Sequence, residues 1–137
     1  MHYRNQHGAY TYRWSGDILL VTIDGVWNEV CSTNLHGDVL KLVQQGRPER
    51  WALFNDCKQW EGAVPEATTL WFDLFFKMCV EQGMVCCASI MPSHFIARVV
   101  KDFTVQCSEL VPTHNFLTTV DALSWLKERG FRVSEPH

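Results

Sequence analysis

Hydrophobic and polar positions change period along the chain, and the changes predict an ordered series of strands and helices. Alternation over residues 9–14 and a continuous apolar run over 18–23 predict two strands. Ser15-Gly16-Asp17 between them is a tight-turn signal, so the two strands should pair as an antiparallel hairpin. Further apolar runs predict strands at 51–56 and 84–91, and a shorter one near 105–107 or 115–117. Residues 57–65 are predicted to form a loop.

Apolar residues three or four positions apart predict four helices. The first begins after the N-cap residue Asn28 and ends near residue 45, before Gly46. The others cover about 66–82, 94–103 and 119–129, the last of them capped by Thr119. The predicted buried positions are Val30, Leu35, Val39, Leu42 and Val43 on the first helix, and Phe95, Ile96, Val99, Val100 and Phe103 on the third.

A hairpin followed by alternating helices and strands predicts an α/β fold. We expect one domain over residues 1–137, with a mixed sheet of about four to five strands, parallel central strands and about four helices. Neither repeats nor linkers interrupt the sequence.

Composition narrows the class of partner. The chain has 137 residues, with 12 Lys and Arg against 15 Asp and Glu, so its formal charge of −3 argues against nucleic-acid binding. Its apolar runs are too short to span a bilayer, and residues 1–12 do not resemble a signal peptide. A cytoplasmic protein without a transmembrane segment is therefore expected. The unusual feature is the aromatic content, six Trp and eight Phe.

The second predicted helix, 66–82, concentrates these aromatic residues. On an α-helical wheel Asp73, Lys77 and Glu81 form one polar seam, which leaves an apolar arc of about 240°, wider than a surface helix needs. Three interpretations of what covers this arc remain. It is covered by the neighbouring helix with the loop that bears Trp60, by a second copy in a symmetric dimer, or by an apolar ligand or membrane that is reached by opening the helix as a lid. The candidate ligand- or partner-binding residues are Trp27, Trp60, Trp71, Phe72, Phe75 and Phe76.

Trp27 and Trp60 are predicted to lie near the carboxyl ends of strands, where open α/β sheets bind ligands. We therefore expect Trp27, Trp60 and Trp71 to line one aromatic pocket. The competing interpretation is that Trp27 and Trp60 only close the loop ends of the sheet.

Other candidate chemistry is weaker. Ser93, His94 and Arg98 at the start of the third helix form a candidate anion site, although a capped, solvated helix end explains them better. The six cysteines occur without a zinc-ligand spacing and are expected to be small buried hydrophobes. Cys57 with His36 or His94 is the only plausible thiol–base pair. We expect neither metal nor cofactor.

Several short segments carry a resemblance to a known family. They are Gly16-Asp17 with residues 18–25, Leu53-Phe54-Asn55-Asp56, Pro65-Glu66-Ala67, and Asp121-Ala122-Leu123-Ser124-Trp125-Leu126. In this order they resemble the STAS-like bacterial family named for its similarity to the sporulation anti-anti-sigma factor. The resemblance spans residues 15–131 and implies a fold also related to CRAL-TRIO lipid-transfer domains. It implies either partner binding or capture of an apolar ligand, with contact to a membrane surface as a further expectation.

The chain departs from the phospho-switch pattern of that family. Anti-anti-sigma factors place a phosphorylated serine or threonine just after the third strand, whereas here Asp56 is followed by Cys57-Lys58-Gln59-Trp60. We therefore expect a non-enzymatic module that binds itself, as a homodimer, or another protein through the helix at 66–82. The alternative is a carrier or sensor of an apolar, lipid-like molecule with this helix as lid, and the third hypothesis is an enzyme that uses Cys57.

Overall fold

The computed structural model describes residues 2–4 and 8–133 of the chain. The described strands are β1 (His2–Arg4), β2 (Gly8–Ser15), β3 (Ile18–Trp27), β4 (Trp51–Asp56), β5 (Trp60–Ala63), β6 (Met84–Ile90) and β7 (Thr113–Phe116). The described helices are α1 (Glu29–Gln45), α2 (Pro65–Leu70), a π-helix (Trp71–Phe76), α3 (Lys77–Glu81), α4 (His94–Val99), α5 (Lys101–Ser108) and α6 (Thr119–Glu128). Among these, no helix is long and apolar enough to cross a bilayer.

All seven strands belong to one mixed sheet in the order β1-β2-β3-β4-β6-β7, with β5 also paired to β3. The predicted hairpin is confirmed: β2 and β3 run antiparallel and are joined at Gly16-Asp17, where Gly16 has the positive φ of 63° that favours glycine. The central strands β3, β4, β6 and β7 are parallel, as expected for strands joined by helices. The predicted fold class is therefore confirmed.

The two strands beyond the expected five are β1 and β5. The loop predicted at 57–65 contains β5, which pairs in parallel with the last residues of β3. That segment is short and includes Gly62, so its sequence has no strand period. It becomes a strand because β3 continues past Gly25 to Trp27 and offers free backbone groups for pairing. The alternatives for the last strand resolve to Thr113–Phe116, and 105–107 is helical.

The aromatic helix differs from its prediction in geometry rather than position. α2, the π-helix and α3 follow one another without a break, and we call them together the 65–81 helix. A π-helix bonds residue i to i+5, so its turn contains more residues than an α-helical turn. The α-helical wheel therefore misplaces its side chains. The polar seam survives, since Asp73, Lys77 and Glu81 are all exposed and Lys77 pairs with Asp73 at 3.5 Å.

The helix predicted at 94–103 is instead two helices, because the backbone leaves helical geometry at Val100. Phe95 and Val99, both predicted to be buried, are instead about two-thirds exposed on α4. Val30, predicted to be buried on α1, is also exposed, and Cys31 takes the inward position. The N-cap of α6 is Thr118 rather than Thr119: its hydroxyl accepts a hydrogen bond from the Asp121 amide.

The sheet has two covered faces. Odd-numbered residues of β4 such as Leu53 lie on the face packed by α1 and the 65–81 helix, with α5 alongside. Even-numbered residues such as Phe54 lie on the other face, packed by α6 through Ala122 and Leu126. This alternation follows from the two-residue period of a strand. It places the large aromatic cluster on the first face.

Candidate functional site

A cavity of about 100 Å³ lies on the first face of the sheet, where β3, β4, β6 and β7 approach their carboxyl ends. This is the edge at which open α/β sheets bind ligands. The sheet contributes its floor, and α1, the 65–81 helix and α5 form its walls. Its lining residues include Trp27, Ser32, Asn55, Cys57, Trp60, Ala63, Ala67, Trp71, Val100, Phe103, Thr104, Cys107 and Asn115. Several of these are half-exposed, which marks the side where the cavity reaches solvent.

The structure brings together the three tryptophans that the sequence predicts in one pocket. Trp27, at the end of β3, is held by a hydrogen bond from its Nε1 to the Asp24 carbonyl oxygen at 3.1 Å. Trp60 is carried by β5, where it pairs with Gly25 two residues before Trp27, and it is half-buried. Trp71 begins the π-helix, and its ring centroid lies 5.6 Å from that of Phe103 on α5. All three indoles line the cavity.

The other three candidate binding residues lie in the hydrophobic core. Phe72, Phe75 and Phe76 belong to the hydrophobic core, with Phe75 and Phe76 completely buried. The wide apolar arc is covered by the chain itself: α1 packs against α2 and the π-helix, and Phe103 contacts the rings of Trp71 and Phe72. Within the described chain, α1 and Phe103 of α5 therefore lie over this arc, whereas contact with a second copy or with a ligand stays a prediction. All four aromatic side chains of this helix, Trp71, Phe72, Phe75 and Phe76, are buried.

Most polar groups around the cavity have partners within the protein. The Ser32 hydroxyl donates to the Ala67 carbonyl oxygen at 2.7 Å and so ties α1 to α2. The Asn115 amide donates to the Thr104 hydroxyl at 2.8 Å, which links β7 to α5. These bonds fix the walls of the cavity while leaving its surface mostly apolar.

Two polar atoms at the cavity are exceptions. Asn55 uses its amide nitrogen to donate to the Cys57 sulfur at 3.3 Å, but its carbonyl oxygen has no partner among the described residues. The indole N–H of Trp71 is likewise buried without a partner in that part of the chain. Asn55 is 5% exposed and Trp71 8% exposed. Such groups are rare in folded proteins because each one costs free energy, so they call for an explanation.

The cysteines are buried, as predicted. Cys57, Cys79, Cys86, Cys87 and Cys107 are free thiols, and Cys31 is buried in α1. Burial raises the pKa of the Cys57 thiol well above its usual range, and the nearby carboxylates of Asp56 and Asp24 add to the effect. Burial likewise raises the pKa of Cys107 to about 12. Because the thiolate is the nucleophile, these surroundings oppose the chemistry that a cysteine enzyme needs.

The candidate anion site is a capped helix end. The Ser93 hydroxyl accepts a hydrogen bond from the Ile96 amide at 3.2 Å, while His94 and Arg98 are exposed. α4 has only six residues, too short to gather a strong dipole. Within the described ranges, His, Cys, Asp and Glu side chains form no group that could hold a metal ion.

Sequence reasoning missed Asn55, a buried polar residue of the site whose carbonyl oxygen has no partner among the described residues. The available signal was a polar side chain at an inward-facing position of an otherwise apolar strand, two residues after Leu53. Phe103 was predicted to face inward, and its ring lies against that of Trp71 from α5, the helix that follows the break at Val100. That break has no clear signal in the sequence.

Comparison with known proteins places this geometry in a fold family. Neither a protein-family model nor a curated protein matches the chain. Among solved structures, an uncharacterised protein of the DUF3478 family from Shewanella loihica PV-4, with a SpoIIAA-like fold, matches with a TM-score of 0.66. The match covers 90% of this chain and 98% of that one, at 19% identity. The chain has a SpoIIAA-like fold.

The SpoIIAA-like fold is STAS-like, so the resemblance and fold class drawn from the sequence are both confirmed. At 19% identity the likeness extends to the fold alone. What this SpoIIAA-like domain binds must therefore be argued from its own site.

Proposed function

We propose that this domain is a non-enzymatic binding module for a small apolar molecule, held in the cavity between the sheet, the 65–81 helix and α5. One observation carries the proposal: a cavity lined by Trp27, Trp60, Trp71 and Phe103 lies inside a folded monomer at the carboxyl edge of its parallel strands. Ligand pockets are typically concave, mostly apolar and placed at such an edge. The cavity size is of the order that holds one small ring, since an apolar cavity of about 150 Å³ binds benzene.

The burial of the helices around the cavity favours α4 and α5 as its lid, rather than the 65–81 helix that was expected. The 65–81 helix carries the completely buried Phe75 and Phe76, so moving it would expose the centre of the core. α4 and α5 are attached more lightly: all six side chains of α4 keep some exposure, and Cys107 is the buried residue of α5. Segments with few buried contacts open at the lowest free energy. We therefore assign the lid to α4 and α5, with Val100 and Phe103 closing over the ligand.

Binding of a second copy or of another protein through the 65–81 helix stays a prediction. It would require the helix to leave its own core, which makes it the less favoured function. Exposed apolar side chains of α4, Phe95 and Val99, are accessible without such a change. A membrane surface or a larger lipid could contact them while the lid is open.

A fluorescence titration tests the proposed function. The cavity holds three of the six tryptophans, so an apolar probe such as toluene should change the intensity or wavelength of the intrinsic emission. Trp71→Phe should remove much of this change. Trp125→Phe is the matched control, because Trp125 packs on the opposite face of the sheet and its loss should leave the response intact.

A cavity-filling variant supplies the second arm. Ala63→Leu adds three carbon atoms at a half-exposed lining position, where a larger side chain can be accommodated without disturbing the core. It should weaken probe binding at least fivefold while leaving the far-ultraviolet circular dichroism unchanged. If neither toluene nor its neutral polar analogue benzyl alcohol changed the emission spectrum, the proposal would be contradicted.

A further inference from the structure

The chemistry of the cavity wall restricts which apolar molecule can occupy it. None of the described lining residues is Lys, Arg, His, Asp or Glu, so the wall offers a bound ion no opposite charge. A charged group moved from water into such a site pays a large desolvation cost without compensation. Carboxylates and amines are therefore disfavoured, including the ionised form of a fatty acid.

The same wall also disfavours a purely hydrocarbon ligand. The Asn55 carbonyl oxygen needs a hydrogen-bond donor, and the Trp71 indole N–H needs an acceptor; among the described residues neither has one. Both residues are more than nine-tenths buried and both line the cavity. A hydrocarbon would leave both atoms unpaired, whereas a ligand with a donor and an acceptor offers each of them the kind of partner that it lacks.

We propose that the cavity selects a neutral, ring-sized molecule whose apolar body carries one hydrogen-bond donor and one acceptor. Asn55 accepts from the donor, and Trp71 donates to the acceptor. The inference rests on the proposed function and adds the class of ligand to it. Trp71 supplies both an aromatic wall and a donor, and Asn55 supplies an acceptor from the floor of the sheet. Specificity of this kind is strong because the analogue that lacks the polar group leaves buried partners unpaired.

Three probes of one size separate the alternatives: benzyl alcohol is neutral with a donor and an acceptor, toluene has neither, and benzoate is charged. Their dissociation constants are measured by amide chemical-shift titration on the full chain. Benzoate should bind at least tenfold more weakly than benzyl alcohol. Benzyl alcohol and toluene differ in hydrophobicity as well as in hydrogen bonding, so the difference between their affinities for the wild type does not isolate the hydrogen bonds. The decisive quantity is the change in each affinity that a substitution causes.

Trp71→Phe keeps an aromatic ring and removes the N–H. It should weaken benzyl alcohol binding about fivefold relative to toluene, the usual effect of one lost hydrogen bond. Asn55→Leu should do the same by removing the acceptor. Trp14→Phe is the matched control: the Trp14 N–H is also buried without a partner among the described residues, but Trp14 does not line the cavity. This control should leave the ratio of the two affinities unchanged.

The outcomes distinguish a wrong ligand class from a wrong proposed function. If the probes bind but Trp71→Phe and Asn55→Leu leave the benzyl alcohol to toluene ratio unchanged, the inference is overturned and the apolar-binding function stands; ordered water then satisfies the two groups. Equal binding of benzoate and benzyl alcohol also overturns it. If none of the three probes binds the wild-type domain, the proposed function itself fails.

Discussion

Phe75 distinguishes a core helix from a binding surface. It is completely buried, and its ring centroid lies 5.4 Å from that of Trp71. Replacing it with alanine removes the ring and leaves a cavity beside the π-helix. Truncation of a buried phenylalanine costs about 3–5 kcal/mol, a large part of the roughly 5–15 kcal/mol by which domains are stable.

The effect is readily measured by urea unfolding. With a denaturant dependence of about 2 kcal/mol per molar, a loss of about 4 kcal/mol lowers the unfolding midpoint by about 2 M. The thermal midpoint should fall by roughly 10–15 °C. Phe95→Ala is the matched control, since Phe95 is 63% exposed on α4 and its loss should change stability by less than about 0.5 kcal/mol.

The opposite pattern would refute the reasoning. If the 65–81 helix used Phe75 to bind a second copy, the wild-type mass by sedimentation would be near twice 15.8 kDa. Phe75→Ala would then shift that mass toward the monomer while leaving the midpoint of monomer unfolding unchanged. A monomeric wild type with a strongly destabilised Phe75→Ala variant supports the core position.

Further predictions follow from the lid, the thiols and a helix cap. Hydrogen exchange of backbone amides should be faster in α4 and α5 than in the 65–81 helix. Equal rates would contradict the assignment of the lid to α4 and α5. Cys57 should react with iodoacetamide at pH 8 far more slowly than a free thiol and reach the ordinary rate only in urea, since burial raises its pKa. Burial raises the pKa of Cys86 to about 11 and that of Cys107 to about 12, so the unfolded chain ionises first; the free energy of unfolding should fall as pH rises above about 8.5, and a flat profile from pH 8 to 10 would contradict this. Asn28→Ala should cost about 1 kcal/mol by chemical denaturation, because the Asn28 side chain accepts from the Cys31 amide at 3.1 Å; no change would mean that the cap is replaced by solvent.

The structure also gives a reason for the site to lie where it does. β3 continues beyond its pairing with β4, and β5 pairs with this last part of β3, with Trp60 opposite Gly25 and Ala63 opposite Trp27. The Ser32 hydroxyl bond to Ala67 then fixes α1 against α2 on the same side. The cavity is thus enclosed by segments far apart in the chain, and its shape depends on all of them.

Local pattern determined most of the architecture. The hairpin at Gly16-Asp17, the helix that follows Asn28, the buried strand from Met84 and the helix that ends before Gly130 all follow from the period of their apolar residues and from their turn and cap residues. Such signals act over a few residues, so the sequence displays them directly. The aromatic excess and its concentration near Trp71 were visible in the same way.

Only the tertiary structure decided what those aromatic residues face. Phe103 lies against Trp71 while Phe95 is exposed to solvent, and Phe75 and Phe76 of the π-helix are both completely buried. β5 became a strand because β3 offered it a partner, and the Asn55 carbonyl oxygen is buried without a partner among the described residues. Burial and pairing depend on contacts between segments far apart in sequence, and the period of a single segment does not record them.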